Sequence, residues 1–265
     1  MSRTSAFISL TRQRPGRRCS LNWKAMKTLF LHENVYACQT PDGAVFMDLE
    51  SGEYMGVDLQ TIDMVGPLIE GWPTSNIRNR AMNQSVDAGM IQHAIQTLTV
   101  TNTLLTDSPD MGKSASFPTV RPTSAIALRG NIVPRPRVNG IHVLVFCWAC
   151  IKALFDIKFK SMVSTVRRIQ VRKLRNCEIG KERSDLVELV RVFRFLTPLL
   201  YTAKDRCLFD SLALVEFLAA YKWFPTWTLG VTTRPFRAHS WVQNEALILN
   251  DRLETIELYS PILAI

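Results

Sequence analysis

Apolar and polar residues alternate over three short runs early in the chain, at 34–39, 44–49 and 53–57. Pro41-Asp42-Gly43 and Glu50-Ser51-Gly52 supply turn chemistry between them, so the pattern predicts three antiparallel strands. The spacing then changes to helical. Asp58 offers an N-cap for a helix through Leu59, Ile62, Met64, Val65, Leu68 and Ile69, ended by Gly71 and Pro73. A second helix is expected around 76–83. A third is expected over 86–98, with Met90, Ile91, Ala94, Ile95 and Leu98 on its apolar face.

Residues 107–140 carry Pro109, Pro118, Pro122, Pro134 and Pro136 among Gly, Ser and Thr without periodicity, and read as a linker. A long helical stretch follows from Ile141, interrupted by a polar section at 175–184, with another helix over about 185–195. Leu208, Leu212, Val215 and Leu218 mark a helix that opens at Cys207. Two alternating runs close the pattern, 237–243 and 246–251, joined by a turn at Asn244-Glu245. The expected architecture is α+β in two parts. A basic disordered arm, or a mis-assigned start, spans 1–25; a small three-strand, three-helix domain spans 26–106; the linker spans 107–140; a larger domain spans 141–265.

Composition changes this picture little. With 47% hydrophobic residues the chain can bury real cores. The net charge of +9 invites a nucleic-acid reading, but Arg3, Arg12, Arg14, Arg17, Arg18 and Lys24 all precede Met26 and no acid does. From Met26 onward the balance is 26 bases against 23 acids, or +3, so no nucleic-acid partner is expected. The arm has no apolar core of a secretory signal, and Met26 is the expected beginning of folded protein. Six cysteines at 19, 38, 147, 150, 177 and 207 show no disulfide framework, which suits a reducing cytoplasm. Cys147-Trp-Ala-Cys150 lies in a nine-residue apolar run, 143–151, and lacks a second pair for a metal. It reads as part of a core helix, far shorter than the roughly 20 residues that cross a bilayer. No metal site and no membrane partner are expected. The basic cluster Arg167, Arg168, Arg172, Lys173 and Arg175 reads as a solvated helix face, or as a surface for an acidic partner.

The candidate chemistry lies in the last sixty residues: Cys207, His239 and Asp251, in that order. Cys207 stands in the first turn of its helix, where unpaired N–H groups and the helix dipole favour thiolate. The same N–H groups can hold an oxyanion. His239 is in a strand and Asp251 ends the next, so neighbouring strands would bring imidazole and carboxylate together.

The surrounding sequence is specific. The Cys207 helix, Trp223-Phe224-Pro225, Leu229-Gly230-Val231, Ala238-His239-Ser240-Trp241-Val242, Leu249-Asn250-Asp251 and the closing Tyr259-Ser260-Pro261-Ile262-Leu263-Ala264-Ile265 resemble the lasso-peptide B proteins. These are the transglutaminase-like (papain-type) cysteine peptidases of lasso-peptide biosynthesis. The resemblance implies that Cys207, His239 and Asp251 are a catalytic triad. It also implies that the chain removes the leader from a lasso-peptide precursor, freeing the core amino terminus for an asparagine-synthetase-like cyclase. That maturation is associated with ATP, but Gly112-Lys113-Ser114 lacks the glycine spacing of a nucleotide-binding loop, so no cofactor is expected here.

The order of three strands then three helices, and the Tyr-x-x-Val-Asp passage at Tyr54–Asp58, resemble the winged-helix-like leader-recognition modules typified by the pyrroloquinoline-quinone D proteins. That resemblance implies strand addition of an extended leader at the third strand's edge. Tyr54, Met55 and Val57 would meet it, faced by Val86, Met90 and Ala94; the same residues would equally serve the small domain's core. Two other functions fit the same residues, an inactive precursor-binding adaptor and a transglutaminase-type acyl transferase using a Cys207 thioester.

Overall fold

The computed structural model describes residues 6–8, 27–73, 88–101, 104–118, 120–126, 135–176, 183–201 and 206–265. It is a mixed helix and sheet structure in two compact units, one of Met1–Phe117 with Thr233–Phe236, the other of Pro118–Thr232 with Arg237–Ile265.

The first unit runs β1 (Ala6–Ile8), β2 (Phe30–His32), β3 (Val35–Thr40), β4 (Gly43–Asp48), β5 (Tyr54–Asp58) and α1 (Leu59–Val65), then α2 (Ala88–Gln96), β6 (Leu105–Thr106) and β7 (Gly112–Lys113). β3, β4 and β5 form the antiparallel meander that the alternation predicts. Gly43 makes its first turn possible: at φ +143°, a Cβ there would stand 2.1 Å from the Val57 carbonyl oxygen. Asp58 caps α1, its carboxylate accepting from the Thr61 N–H at 2.9 Å.

Four expectations are corrected in this unit. The first helix ends at Val65 and passes into a 3₁₀ turn, Gly66–Leu68, because Pro67 has no N–H with which to continue it. The third continues beyond Gln96 as a π-helical segment, Thr97–Thr101. The arm expected to be unstructured supplies β1, which pairs in parallel with β5, so the edge expected to receive a leader is occupied by Ala6–Ile8. The stretch expected as linker supplies β7, which flanks β2 opposite β6. Such short strands are invisible to periodicity and exist because a neighbouring backbone has hydrogen bonds to offer. The helix expected at 76–83 lies outside the described residues.

The second unit contains β8 (Ser124–Ala125), α3 (Gly140–Phe159), α4 (Met162–Arg175), α5 (Arg183–Leu200), α6 (Cys207–Ala220), β9 (Thr226–Thr233), β10 (Phe236–Asn244), β11 (Leu247–Ile248), α7 (Leu253–Ile256) and β12 (Ser260–Ala264). Its sheet has the order β12-β9-β10-β11-β8, with β8, again from the expected linker, parallel to β11.

α3 begins at a capping box of Asn139 and His142 and packs along α6. It is core on one side only. Phe146, Ala149, Cys150, Ala153 and Asp156 are buried, whereas Ile141, Leu144, Trp148, Ile151, Phe155 and Phe159 are exposed. By length and composition alone α3 could cross a membrane, although its buried face holds an ionic network. Asp156 accepts from Lys152 and Arg168, both at 2.5 Å. Arg168 and Arg172 donate to Glu216 of α6 at 2.6 and 2.8 Å. Two members of the basic cluster expected on a solvated face are therefore turned inward, because Glu216 and Asp156 are buried and require partners.

Candidate active site

α6 opens at Cys207 behind Arg206, which has non-helical φ −128° and makes no side-chain cap. The first-turn N–H groups are thus not taken by a capping side chain. The Leu208 and Ser240 backbone N–H groups lie near the Cys207 sulfur and lower its thiol. Ser240 follows His239 in β10, so one strand carries both the imidazole and an N–H near the thiol.

β10 and β11 form a hairpin with Gln243 opposite Ile248 and Asn244 opposite Leu247. Its turn sits at Glu245, φ +50°. The second run is shorter than its alternation predicts, because after Ile248 the chain leaves the sheet and the Val242 N–H is taken by the Asn250 side chain at 2.8 Å. That departure brings Asp251 back towards β10. Asp251 Oδ2 lies 2.6 Å from His239 Nε2, while its Oδ1 accepts from the Arg252 N–H at 2.7 Å. His239 also hydrogen-bonds Cys207, with Nδ1 left for that contact. The structure therefore brings together all three residues singled out by sequence.

The imidazole is steadied by packing. Its ring centroid is 5.0 Å from that of Tyr259 and 6.3 Å from that of Trp241, nearly parallel to the indole. Trp241 is fully buried in a cluster with Ile248 and Ile256. Its N–H donates to Gln243 Oε1 at 2.8 Å. Trp227 Nε1 donates to the Ser240 hydroxyl at 2.8 Å, holding β10 from the other side. Tyr259 and the Ser240 N–H were missed by sequence reasoning, since their roles arise from strand pairing and not from local spacing.

The electrostatics follow from these contacts. Burial pushes the Cys207 thiol up, but the hydrogen bond and charge of His239, with the N–H groups of Ser240 and Leu208, leave it below the ordinary thiol value. Burial pushes His239 down, yet hydrogen bonds to Asp251 and Cys207 carry it up to about 9. Burial raises Asp251, and its bonds to His239 and Arg252 outweigh this and hold it low. Both shifts favour thiolate paired with imidazolium. By contrast, burial carries the Cys38 thiol up to about 12, and burial together with the nearby Cys147 and Asp210 does the same to Cys150; both are free. Only a partnered thiol is a nucleophile at neutral pH.

The model of the transglutaminase-like superfamily matches residues 153–264. This segment is a transglutaminase-like domain. No curated protein matches the chain, and no solved structure does. Cys207, His239 and Asp251 all fall inside the transglutaminase-like domain, and Cys-His-Asp chemistry, hydrolytic or acyl-transferring, is usual for that superfamily. Beside Asp251 the domain has a cavity of about 950 Å³ lined by Arg194, Asn250, Arg252, Leu253 and Thr255 among others; neither Cys207 nor His239 lines it. Among the described residues, no group of three His, Cys, Asp or Glu side chains gathers as a metal site.

The six residues expected to meet a peptide are placed differently from one another. Val57 and Ala94 are 1% and 2% exposed and belong to the first unit's core, so neither presents surface to a ligand. Met55 is half-buried against that core, and Tyr54 is also half-buried. Val86 and the Met90 side chain lie outside what is described.

Proposed function

We propose that the chain is a cysteine endopeptidase that binds the leader of a lasso-peptide precursor and cuts it from the core peptide. An asparagine-synthetase-like cyclase then closes the macrolactam. The observation that carries the peptidase reading is His239 joined to both Cys207 and Asp251, with the thiol lowered and the imidazole raised. The motifs around these residues, from Ala238-His239-Ser240-Trp241-Val242 to the closing Tyr259-Ser260-Pro261, support the narrower substrate class.

The Cys207 thiolate attacks the carbonyl at the leader–core junction, and the tetrahedral oxyanion faces the N–H groups opening α6. The His239 imidazolium gives its proton to the departing core amine, leaving a thioester between leader and Cys207. His239, now neutral, takes a proton from water, which adds to the thioester and releases the leader acid and the thiol. Asp251 holds the imidazole in the tautomer that both steps need. The first unit serves as the leader-recognition module, and the reaction belongs in the cytoplasm, where the precursor is made. It needs no cofactor of this chain, any ATP being used by the cyclase.

The test is mass spectrometry of a candidate precursor after incubation with the protein, with and without the cyclase. A single cut that adds one water and vanishes in Cys207→Ala is expected; cutting by Cys207→Ala sinks the assignment. Acyl transfer is the second reading, because the superfamily includes it. Products that lose ammonia or join two chains would establish it instead. Precursor bound but uncut under every condition would establish the adaptor.

A further inference from the structure

Asp210 is an acid buried within one turn of the nucleophile, and the mechanism does not use it. It lies on α6, three residues after Cys207, and is 3% exposed. Three donors converge on its carboxylate. The Tyr201 hydroxyl donates to Oδ1 at 2.9 Å, and Arg194 Nη1 and Asn250 Nδ2 donate to Oδ2 at 3.2 and 3.0 Å. Asn250 reaches further: its Nδ2 also donates to the Ser211 hydroxyl at 3.1 Å, and its Oδ1 accepts from the Val242 N–H at 2.8 Å. The Asn250 amide therefore bridges the nucleophile's helix and the strand bearing His239, and the next residue in the chain is Asp251.

We infer that Asp210 is a positioning residue: through Asn250 it sets the His239–Asp251 pair against the Cys207 thiol. The proposal rests on reading the triad as the reactive centre, and not on the identity of the substrate. The chemistry favours a carboxylate at this position. Three donors need an acceptor with no N–H of its own, and Asn at 210 would turn an amide towards one of them and leave the Arg194 charge without a partner. Around Asp210 stand Arg194 of α5, Tyr201 just after it and Cys150 of α3, whose thiol burial carries up to about 12. Tyr201 is raised by burial and then by Asp210. Both raised groups, Cys150 and Tyr201, stay neutral near neutral pH.

The test reads the triad without a substrate. The rate of iodoacetamide alkylation at Cys207 in the full chain is followed against pH by peptide mass spectrometry, which separates it from the other thiols. Asp210→Asn is expected to slow alkylation at pH 6 about tenfold, its acid limb moving up by about one pH unit towards a free thiol. Asn250→Asp alone sets two carboxylates about 3 Å apart and is expected to shift the limb similarly. The double exchange Asp210→Asn/Asn250→Asp restores an acid–amide pair across the link but leaves Arg194 and Tyr201 facing an amide, so a partial return towards the original profile is expected. A purely structural role would lower the melting temperature and leave the profile where it was. Folded Asp210→Asn with an unchanged profile overturns the proposal, as does a double exchange no better than either single change. Should Asp210→Asn fail to fold, Asn250→Ser, which breaks the link but keeps a hydroxyl for the Val242 N–H, carries the same test with the same two outcomes. An uncut precursor beside the expected alkylation profiles would remove the peptidase reading and leave this one standing.

Discussion

His239 is the residue on which the site turns, because its two ring nitrogens are divided between a carboxylate and a thiol. The reactive form is thiolate with imidazolium. As pH falls, the thiolate is protonated only below its lowered value; as pH rises through about 9, the imidazolium loses the proton it must give to the leaving amine. A bell-shaped rate profile is therefore expected, with its alkaline limb near pH 9, measurable on cleavage by stopped-time mass spectrometry. Asp251→Asn removes the charged acceptor at Nε2. It is expected to lower kcat by about 10²- to 10⁴-fold and to move the alkaline limb to lower pH, since a principal cause of the raised imidazole is gone. An unchanged limb would separate Asp251 from the triad.

At the scale of elements, two contacts hold the pieces that carry these residues. Gly230 of β9 lies against the Trp241 indole, and a Cβ there would stand 2.7 Å from its Cη2 and Cζ3 atoms. Trp241 is fully buried and has nowhere to move, so Gly230→Ala is expected to cost ~1–3 kcal/mol by overpacking. A thermal melt of the purified variant measures that, and a wild-type midpoint would refute it. Glu216 ties α6 to two arginines of α4. Glu216→Gln takes from Arg172 its carboxylate and leaves Arg168 to Asp156 alone, and is expected to cost about 3 kcal/mol, the low end for a broken buried pair because both arginines keep partial contact with water. Denaturant unfolding checks this. These elements were legible unevenly. The capped start of α1 and the hairpin turns are local chemistry and could be read, whereas the helix end at Gly66-Pro67 lies inside a continuous apolar periodicity that masks it.

For the whole molecule, charge is distributed along the chain more than over its fold. Six of the basic residues precede Met26, and the remainder balances to +3. Attraction to polyanions is expected to follow that arm, so a chain lacking residues 1–25 should leave a heparin column at lower salt than the full chain while its Cys207 alkylation rate stays the same. Equal elution would place the polyanion-binding surface elsewhere. The same arm supplies β1, a strand that its polar composition did not announce, because pairing there depends on the free edge of β5 as much as on the arm itself.

The meander of the first unit and the helix opening at Cys207 were determined by sequence alone, since each depends on residue chemistry at short spacing: a turn glycine, a helix start, an alternation of period two. Tertiary structure decided what lies far apart in the chain. Asn250 meets Asp210 across 40 positions, Glu216 meets Arg168 across 48, and β8 joins β11 from beyond four helices. Such contacts leave no periodic trace, because their partners are set by where packed elements come to rest and by the need of each buried charge or unpaired backbone edge for a hydrogen bond.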